Sequence, residues 1–291
     1  MTKVGLVLEG GGMRGAYTAG VLDAFLDMGI HFKDIIGVSA GAANAISYVS
    51  EQHGRNLEIY KRFPSDDRYL SFKSFLKTGS FFGMQFVFYE VTRNLLPFDY
   101  SAFKNSDMKL TAVCTNVKNG KAFYKELDDI NDDNEMKYLC ASAAIPMAST
   151  IVKVDGHKLM DGGASDSIPI EYSLSKGNLK NIIVLTRNEG FRHHKTKAGF
   201  FAHLRYLKYQ KFAHTIANRH EYYNKSLDIA QAQEKSKQAI IIRPQQPIVA
   251  SRFERSPEVL TALYRQGYEE TLAIHKEILN FLQDAENVTI K

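Results

Sequence analysis

The sequence predicts an α/β fold, with a mainly parallel central sheet flanked by helices and a mostly helical C-terminal extension. Three observations carry this prediction. Apolar runs at 3–8 and 34–38 have strand length. Each is followed by a glycine-containing turn and a helix-like stretch, at 16–28 and 40–53. That βαβα order favours parallel strands, because parallel neighbours are joined through a helix. After Arg187 the texture changes, and 188–235 reads as basic, aromatic and helical.

The remaining elements follow in order. Runs at 109–116 and 121–125 flank Asn119-Gly120, a pair that suits a type I′ hairpin turn. A helix at 134–144 stops before Pro146, because the residue preceding proline is driven out of helical geometry. Runs at 150–154 and 158–160 form a second hairpin through Asp155-Gly156. Buried strands are expected at 182–186 and 239–242. Ser256 caps a final helix running to about residue 282, with Pro257 at its first position.

The chain has 291 residues, 44% of them apolar, enough for a sizeable core. The expected division is a core domain at 3–187 and an extension at 188–291 packed on it. No run of about 18 uncharged apolar residues occurs, so no spanning helix is expected. The N-terminus reads as a strand and not as a secretory leader. Cys114 and Cys140 sit among apolar neighbours outside any CxxC pair, so both are expected to be buried free thiols. A cytoplasmic protein, with peripheral contact at a membrane, is the resulting expectation. Net charge is +5, but 190–225 holds eight Lys/Arg against one Glu. Such a surface suits an anionic partner, lipid headgroups or nucleic acid, or is simply a solvated helix face. No nucleic-acid motif accompanies it. Oligomeric state has no signature in the sequence.

Three motifs carry chemistry. Gly10-Gly11-Gly12-Met13-Arg14-Gly15 follows the first strand and opens a helix. Consecutive glycines let backbone N–H groups converge on an anion. A P-loop would need Gly-Lys-Ser/Thr, which is absent. A dinucleotide fingerprint matches Gly10, Gly12 and Gly15 formally, but needs an acidic residue at the far end of the next strand. Asp34 stands at the near end, and Ser39 follows the far end. The third function is an oxyanion hole built on the N–H groups of Gly11 and Gly12.

The second motif, Gly37-Val38-Ser39-Ala40-Gly41, matches a nucleophile elbow, a sharp strand-to-helix turn that presents a hydroxyl at a helix N-terminus. The third, Asp161-Gly162-Gly163, places a carboxylate at a strand end before two glycines. Taken alone it reads first as an ordinary Asp-Gly turn, and only the combination with the other two motifs changes that reading. None of the nine histidines has a recognisable catalytic context, and an extended strand separates His157 from Asp161.

GGGMRG, GVSAG and DGG occur in that order, with Ser-Ala-Ala-Ile-Pro at 142–146 before the third. In this the chain resembles the patatin-like phospholipase family over residues 3–187. The resemblance implies a three-layer patatin-like fold and a Ser–Asp dyad, with Ser39 as nucleophile and Asp161 as base. It implies an oxyanion loop at Gly10, Gly11 and Gly12, with Arg14 at the loop's common basic position, and Gly15, Gly37, Gly41, Gly162 and Gly163 in support. It also implies a lipid ester substrate, phospholipid or lysophospholipid, with no cofactor and no metal. A free aspartate with a pKa near 3.9 is a poor base for serine. The dyad therefore requires Asp161 to be desolvated, and its neighbours Leu159 and Met160 are apolar.

Two other classes compete: a dinucleotide-binding oxidoreductase using the glycine loop, and a non-catalytic membrane-lipid-binding protein. Residues 69–103 hold eleven aromatics, which suit an acyl-chain wall or ordinary core. Phe200, Leu204 and Leu207 share a helical face, but Lys211 falls on it too, short of a cleanly segregated membrane helix.

Overall fold

In the computed structural model, which describes residues 2–291, the two N-terminal apolar runs form the centre of a large mixed sheet. Strand β1 (Val4–Leu8) leads through the glycine loop into α1 (Gly15–Asp27). A short β2 (Ile30–Phe32) precedes β3 (Asp34–Val38) and α2 (Ala40–Val49). Next come α3 (Arg55–Arg62), α4 (Phe72–Thr78), a π-type helix (Phe86–Leu95) and α5 (Tyr100–Asn105). Strands β4 (Lys109–Asn116) and β5 (Ala122–Leu127) are followed by α6 (Asp133–Ser142), then β6 (Val152–Val154), β7 (His157–Asp161) and α7 (Ile170–Ser175). After β8 (Lys180–Val184) come α8 (Ala198–Arg205), α9 (Gln210–Ala217) and α10 (Arg219–Lys235). The chain ends with β9 (Ala239–Ile242), α11 (Pro257–Ala273), α12 (His275–Leu282) and β10 (Val288–Ile290).

The sheet order is β6-β7-β4-β3-β1-β8-β9, with β5 also paired to β4. The run β4-β3-β1-β8-β9 is parallel, and β5, β6 and β7 are antiparallel. The central strands are buried along nearly their whole length, as a sheet covered by helices on both faces requires. Strand order reverses between β1 and β8, which opens a crevice at their carboxyl ends. The glycine loop leaves β1 at that crevice.

The C-terminal segment is integral to this architecture. Strand β9 extends the sheet beside β8, and α11 lies on α1. Tyr264 donates to Asp23 across 2.6 Å and Tyr17 donates to Glu270 across 2.7 Å at that helix crossing. Both bonds satisfy polar groups that burial would otherwise strand.

Several local expectations differ from the structure. The Asn119-Gly120 loop is not a two-residue turn. Asn116 N–H bonds Lys121 C=O and only Gly120 has positive φ, so four residues make the connection. Asp155-Gly156 does form the two-residue turn, with both φ values positive. Residues 188–197 are irregular, and the terminal helix breaks at Ile274. The three-residue strands β2 and β10, which pair with each other, are too short to show alternation. Cys114 and Cys140 are free and buried. No helix among the described residues is long and apolar enough to cross a membrane.

Candidate active site

Ser39 occupies the turn between β3 and α2 with φ 54° and ψ −120°, a backbone geometry that side-chain-bearing residues rarely adopt. The turn is closed from beneath. A β-carbon on Gly41 would lie 2.7 Å from the Leu8 carbonyl oxygen, so only glycine lets α2 start this close to β1. Gly37 faces Ala42 in the same turn, and Gly15 faces Ala40 from the start of α1. The N-terminus of α2 adds the positive end of its dipole at Ser39. The hydroxyl is not proud of the surface: Ser39 is only 6% exposed and lies on the floor of a crevice.

Asp161 ends β7 and reaches the same point. Strand β4 lies between β3 and β7, pairing Val113 with Val38 and Cys114 with Asp161. Two strand spacings of about 4.8 Å separate the outer pair, and the two side chains meet across β4 at the level of Cys114. Ser39 Oγ donates to Asp161 Oδ2 across 2.7 Å. Gly163 N–H donates to Oδ1 across 2.7 Å, and Thr115 Oγ1 donates to the Asp161 carbonyl across 2.8 Å. Burial raises the Asp161 carboxyl above the ordinary carboxylate range. The hydrogen bonds from Ser39 and Gly163, and the positive charges of Arg219 and Arg252, partly oppose it. Leu159 and Met160 are fully buried beside it.

Segment 142–146 acts as a clamp. Ser142 Oγ accepts from Ser39 N–H at 2.9 Å and donates to the Val113 carbonyl at 2.7 Å. The Ala144 carbonyl accepts from Asp161 N–H at 2.9 Å. One short segment thus fixes the backbone of both Ser39 and Asp161. Gly162 packs on the Val113 carbonyl.

The glycine loop forms the roof. Gly10 lies against Ser39 and Val38, and Gly11 against Thr186. Gly12 has φ +59°, and a β-carbon there would lie 2.6 Å from the Arg252 carbonyl. Among the described residues, no backbone partner takes the N–H groups of Gly10, Gly11 or Gly12. Arg14 is buried, and its Nε has no partner. Burial and the neighbouring Arg187 push its guanidinium down to about 10. Behind the loop, buried Glu9 accepts from Thr186 N–H and Oγ1, tying β1 to β8. Asp34 lies at the opposite end of β3, held by Lys176 and Asn178, away from the loop.

Two cavities meet at Ser39, and Gly12 and Ile145 line both. One, of about 740 Å3 of empty space, is walled largely by apolar groups including Tyr69, Phe82, Met84, Val87, Phe88 and Ala43. The π-type helix supplies part of that wall. Other aromatics of 69–103, such as Phe98 and Phe103, are core. The second cavity, of about 1170 Å3, is lined by Arg14, Arg219, Arg252, His193, His194 and His220 beside Asp161. Sequence reading noted Arg14 and the basic stretch 190–225 but did not bring Arg219, Arg252 and the three histidines to the site, since those five residues lie in the extension, without a motif. His157 is remote from the dyad and packs on Phe123. Among the described residues no imidazole bonds Ser39 or Asp161.

A serine on a strained strand-to-helix turn is thus bonded directly to a desolvated carboxylate, beneath backbone N–H groups that have no backbone partner among the described residues. The chain belongs to the patatin-like phospholipase family, whose model matches residues 6–174. A domain of unknown function (DUF6363) matches residues 209–283. Over 196 residues the chain is 27% identical to the uncharacterized protein YjjU of Escherichia coli (strain K12), covering 63% of this chain and 52% of that one. Over 188 residues it is 26% identical to lysophospholipase NTE1 of Cryptococcus neoformans, covering 63% of this chain and 11% of that one. The chain thus spans about half the length of the bacterial relative and about a tenth of the fungal one. VipD from Legionella pneumophila superposes with a TM-score of 0.46 at 13% identity, over 95% of this chain and 67% of VipD.

Proposed function

We propose that the protein is a serine lipid acyl hydrolase that cleaves carboxylic esters of phospholipids or lysophospholipids through an acyl-Ser39 intermediate. The observation that carries this reading is the 2.7 Å bond from Ser39 Oγ to Asp161 Oδ2 between the two cavities. Asp161 takes the serine proton as Oγ attacks the ester carbonyl. The developing oxyanion faces the N–H groups of Gly10, Gly11 and Gly12, with Arg14 behind them. Asp161 returns the proton to the leaving alcohol, and water releases the acyl group by the reverse route. The acyl chain lies in the apolar cavity. In this reading 3–187 is the hydrolase unit and 188–291 an appended unit that completes the crevice.

A cytoplasmic enzyme that touches an anionic membrane peripherally fits the exposed Phe200, Phe201, Leu204 and Leu207 beside the basic residues of the same stretch. The dinucleotide reading is disfavoured by Arg252 seated on Gly12, where a pyrophosphate would need access, and by the position of Asp34. The test is intact-mass detection of a fluorophosphonate adduct, together with hydrolysis of a chromogenic acyl ester. Adduct and turnover are expected in wild type, with no adduct in Ser39→Ala and no turnover in Ser39→Ala or Asp161→Asn. Equal turnover in all three proteins removes the proposal.

A further inference from the structure

The second cavity is a concentration of positive charge that the dyad does not use. Arg14, Arg219 and Arg252 line it together, and none of them forms a salt bridge among the described residues. Arg219 donates from Nε to the Gly163 carbonyl, two residues beyond the base. Its other nitrogens meet Ser167 Oγ at 3.4 Å and His193 Nε2 at 3.3 Å. The Arg252 carbonyl accepts from Met13 N–H at 3.2 Å, inside the glycine loop, and its guanidinium has no hydrogen-bond partner among the described residues. The Arg219 guanidinium is therefore held beside Asp161, and the Arg252 backbone is held against the glycine loop, although both residues belong to the C-terminal segment.

The charges are close enough to repel. Burial lowers the basicity of Arg14 and Arg219, the Arg187 charge adds to this at Arg14, and the Arg252 charge adds to it at both. Burial, and then the charges of Arg219, Arg252, Arg187 and Arg14, push His193 down to about 3, so it is neutral at pH 7. The nearby carboxylates are already engaged, Glu9 with Thr186 and Asp161 with Ser39 and Gly163. Three guanidinium groups held near one another, facing only Glu9 and Asp161, which hydrogen-bond elsewhere, match an oxyanion with several acceptor oxygens, and phosphate fits their fork geometry.

We infer that Arg219 and Arg252, with Arg14, form a phosphate subsite on the alcohol side of the scissile ester, selecting acyl lipids with a net-anionic phosphate headgroup. This inference rests on the hydrolase reading above. Ser39 lies between the two cavities, so an acyl chain in the apolar one directs the leaving alcohol, and the phosphate it carries, toward the arginines. A choline headgroup brings a positive charge into the same wall and is disfavoured. A neutral glyceride leaves the arginines unpaired.

The experiment compares 1-lauroyl lysophosphatidate, 1-lauroyl lysophosphatidylcholine and monolauroylglycerol at equal surface fraction in nonionic micelles. Charge-assisted bonds of this kind predict a kcat/KM for lysophosphatidate about tenfold or more above that for monolauroylglycerol in wild type. Arg219→Gln and Arg252→Gln should each bring that ratio toward one, mainly through KM, while Arg252→Lys keeps part of it. Thermal shift with inorganic phosphate, expected to stabilise wild type more than Arg252→Gln, reads the subsite without turnover. Equal rates on the three lipids in an enzyme that still forms the fluorophosphonate adduct overturn the subsite and leave the hydrolase standing. Equal lipid rates combined with phosphate stabilisation assign the arginines to free phosphate and overturn the headgroup placement. No turnover and no adduct in wild type removes the hydrolase reading and this inference with it.

Discussion

Ser39 Oγ donates a hydrogen bond to Asp161 Oδ2 across 2.7 Å, although 122 positions separate them in the chain. The carboxylate is buried, lacks an imidazole partner and is raised above its ordinary range by desolvation. If Asp161 is the base proposed above, function and stability pull against each other at this residue.

Replacing Asp161 with Asn keeps the shape and removes the buried charge. Turnover should fall by about 10^2- to 10^4-fold, the range for loss of a general base. The melting temperature at pH 7 should rise, because the folded state no longer holds a desolvated anion. A variant that is inactive and also less stable than wild type would contradict this account of Asp161.

The pH profile follows from the same cause. Asp161 accepts a proton only when ionised, so kcat/KM should fall as pH drops through its raised pKa. The acid limb should lie above the ordinary aspartate value of about 3.9. A limb at or below that value would mean that burial does not tune the base.

Asp166 gives a stability test away from the dyad. Its carboxyl, which accepts from Tyr124 at 2.8 Å, is raised by burial to about 6 from the usual 3.8. Between those values the folded state binds more proton than the unfolded state, so stability falls as pH rises through the window. Asp166→Asn should flatten that slope in denaturant titrations at successive pH values. An unchanged slope would count against a desolvated Asp166.

The turn at Ser39 stores backbone strain. A non-glycine residue in such a region costs about 1–3 kcal/mol. Ser39→Gly and Ser39→Ala both remove the hydroxyl, but only glycine relieves the backbone. Ser39→Gly should therefore have the higher urea midpoint. Equal midpoints would show that the turn is unstrained.

The apolar cavity should set chain length. Ala43 lines it, and Ala43→Phe fills part of it. At ~0.8 kcal/mol per buried methylene, excluding two methylenes lowers the dodecanoyl-to-butanoyl rate ratio about tenfold. A ratio unaffected by the substitution would place the acyl chain elsewhere.

Local signals made much of the core readable. Strands β1 and β3 are short, largely apolar segments, and the glycines around Ser39 report a turn that larger residues cannot enter. The Asp-Gly pair at 155–156 encodes its own turn, since both residues tolerate positive φ. The Asn119-Gly120 pair misled because the ladder around it closes over four residues, a matter of register that no dipeptide sets. The broken helices of the extension were unreadable for a related reason. Their exposed and buried residues are sorted by neighbours on other elements, as with Tyr206 against Met147 and Phe212.

By itself the sequence determined the motifs, their order and the mainly parallel α/β scheme, because each rests on conformational preferences spanning a few residues. Tertiary structure alone decided that Ser142 and Ala144 clamp the dyad, that Asp161 is desolvated, and that Arg219 and Arg252 converge on the crevice. Burial and charge proximity depend on which distant segments pack together, and that information is spread over the whole chain.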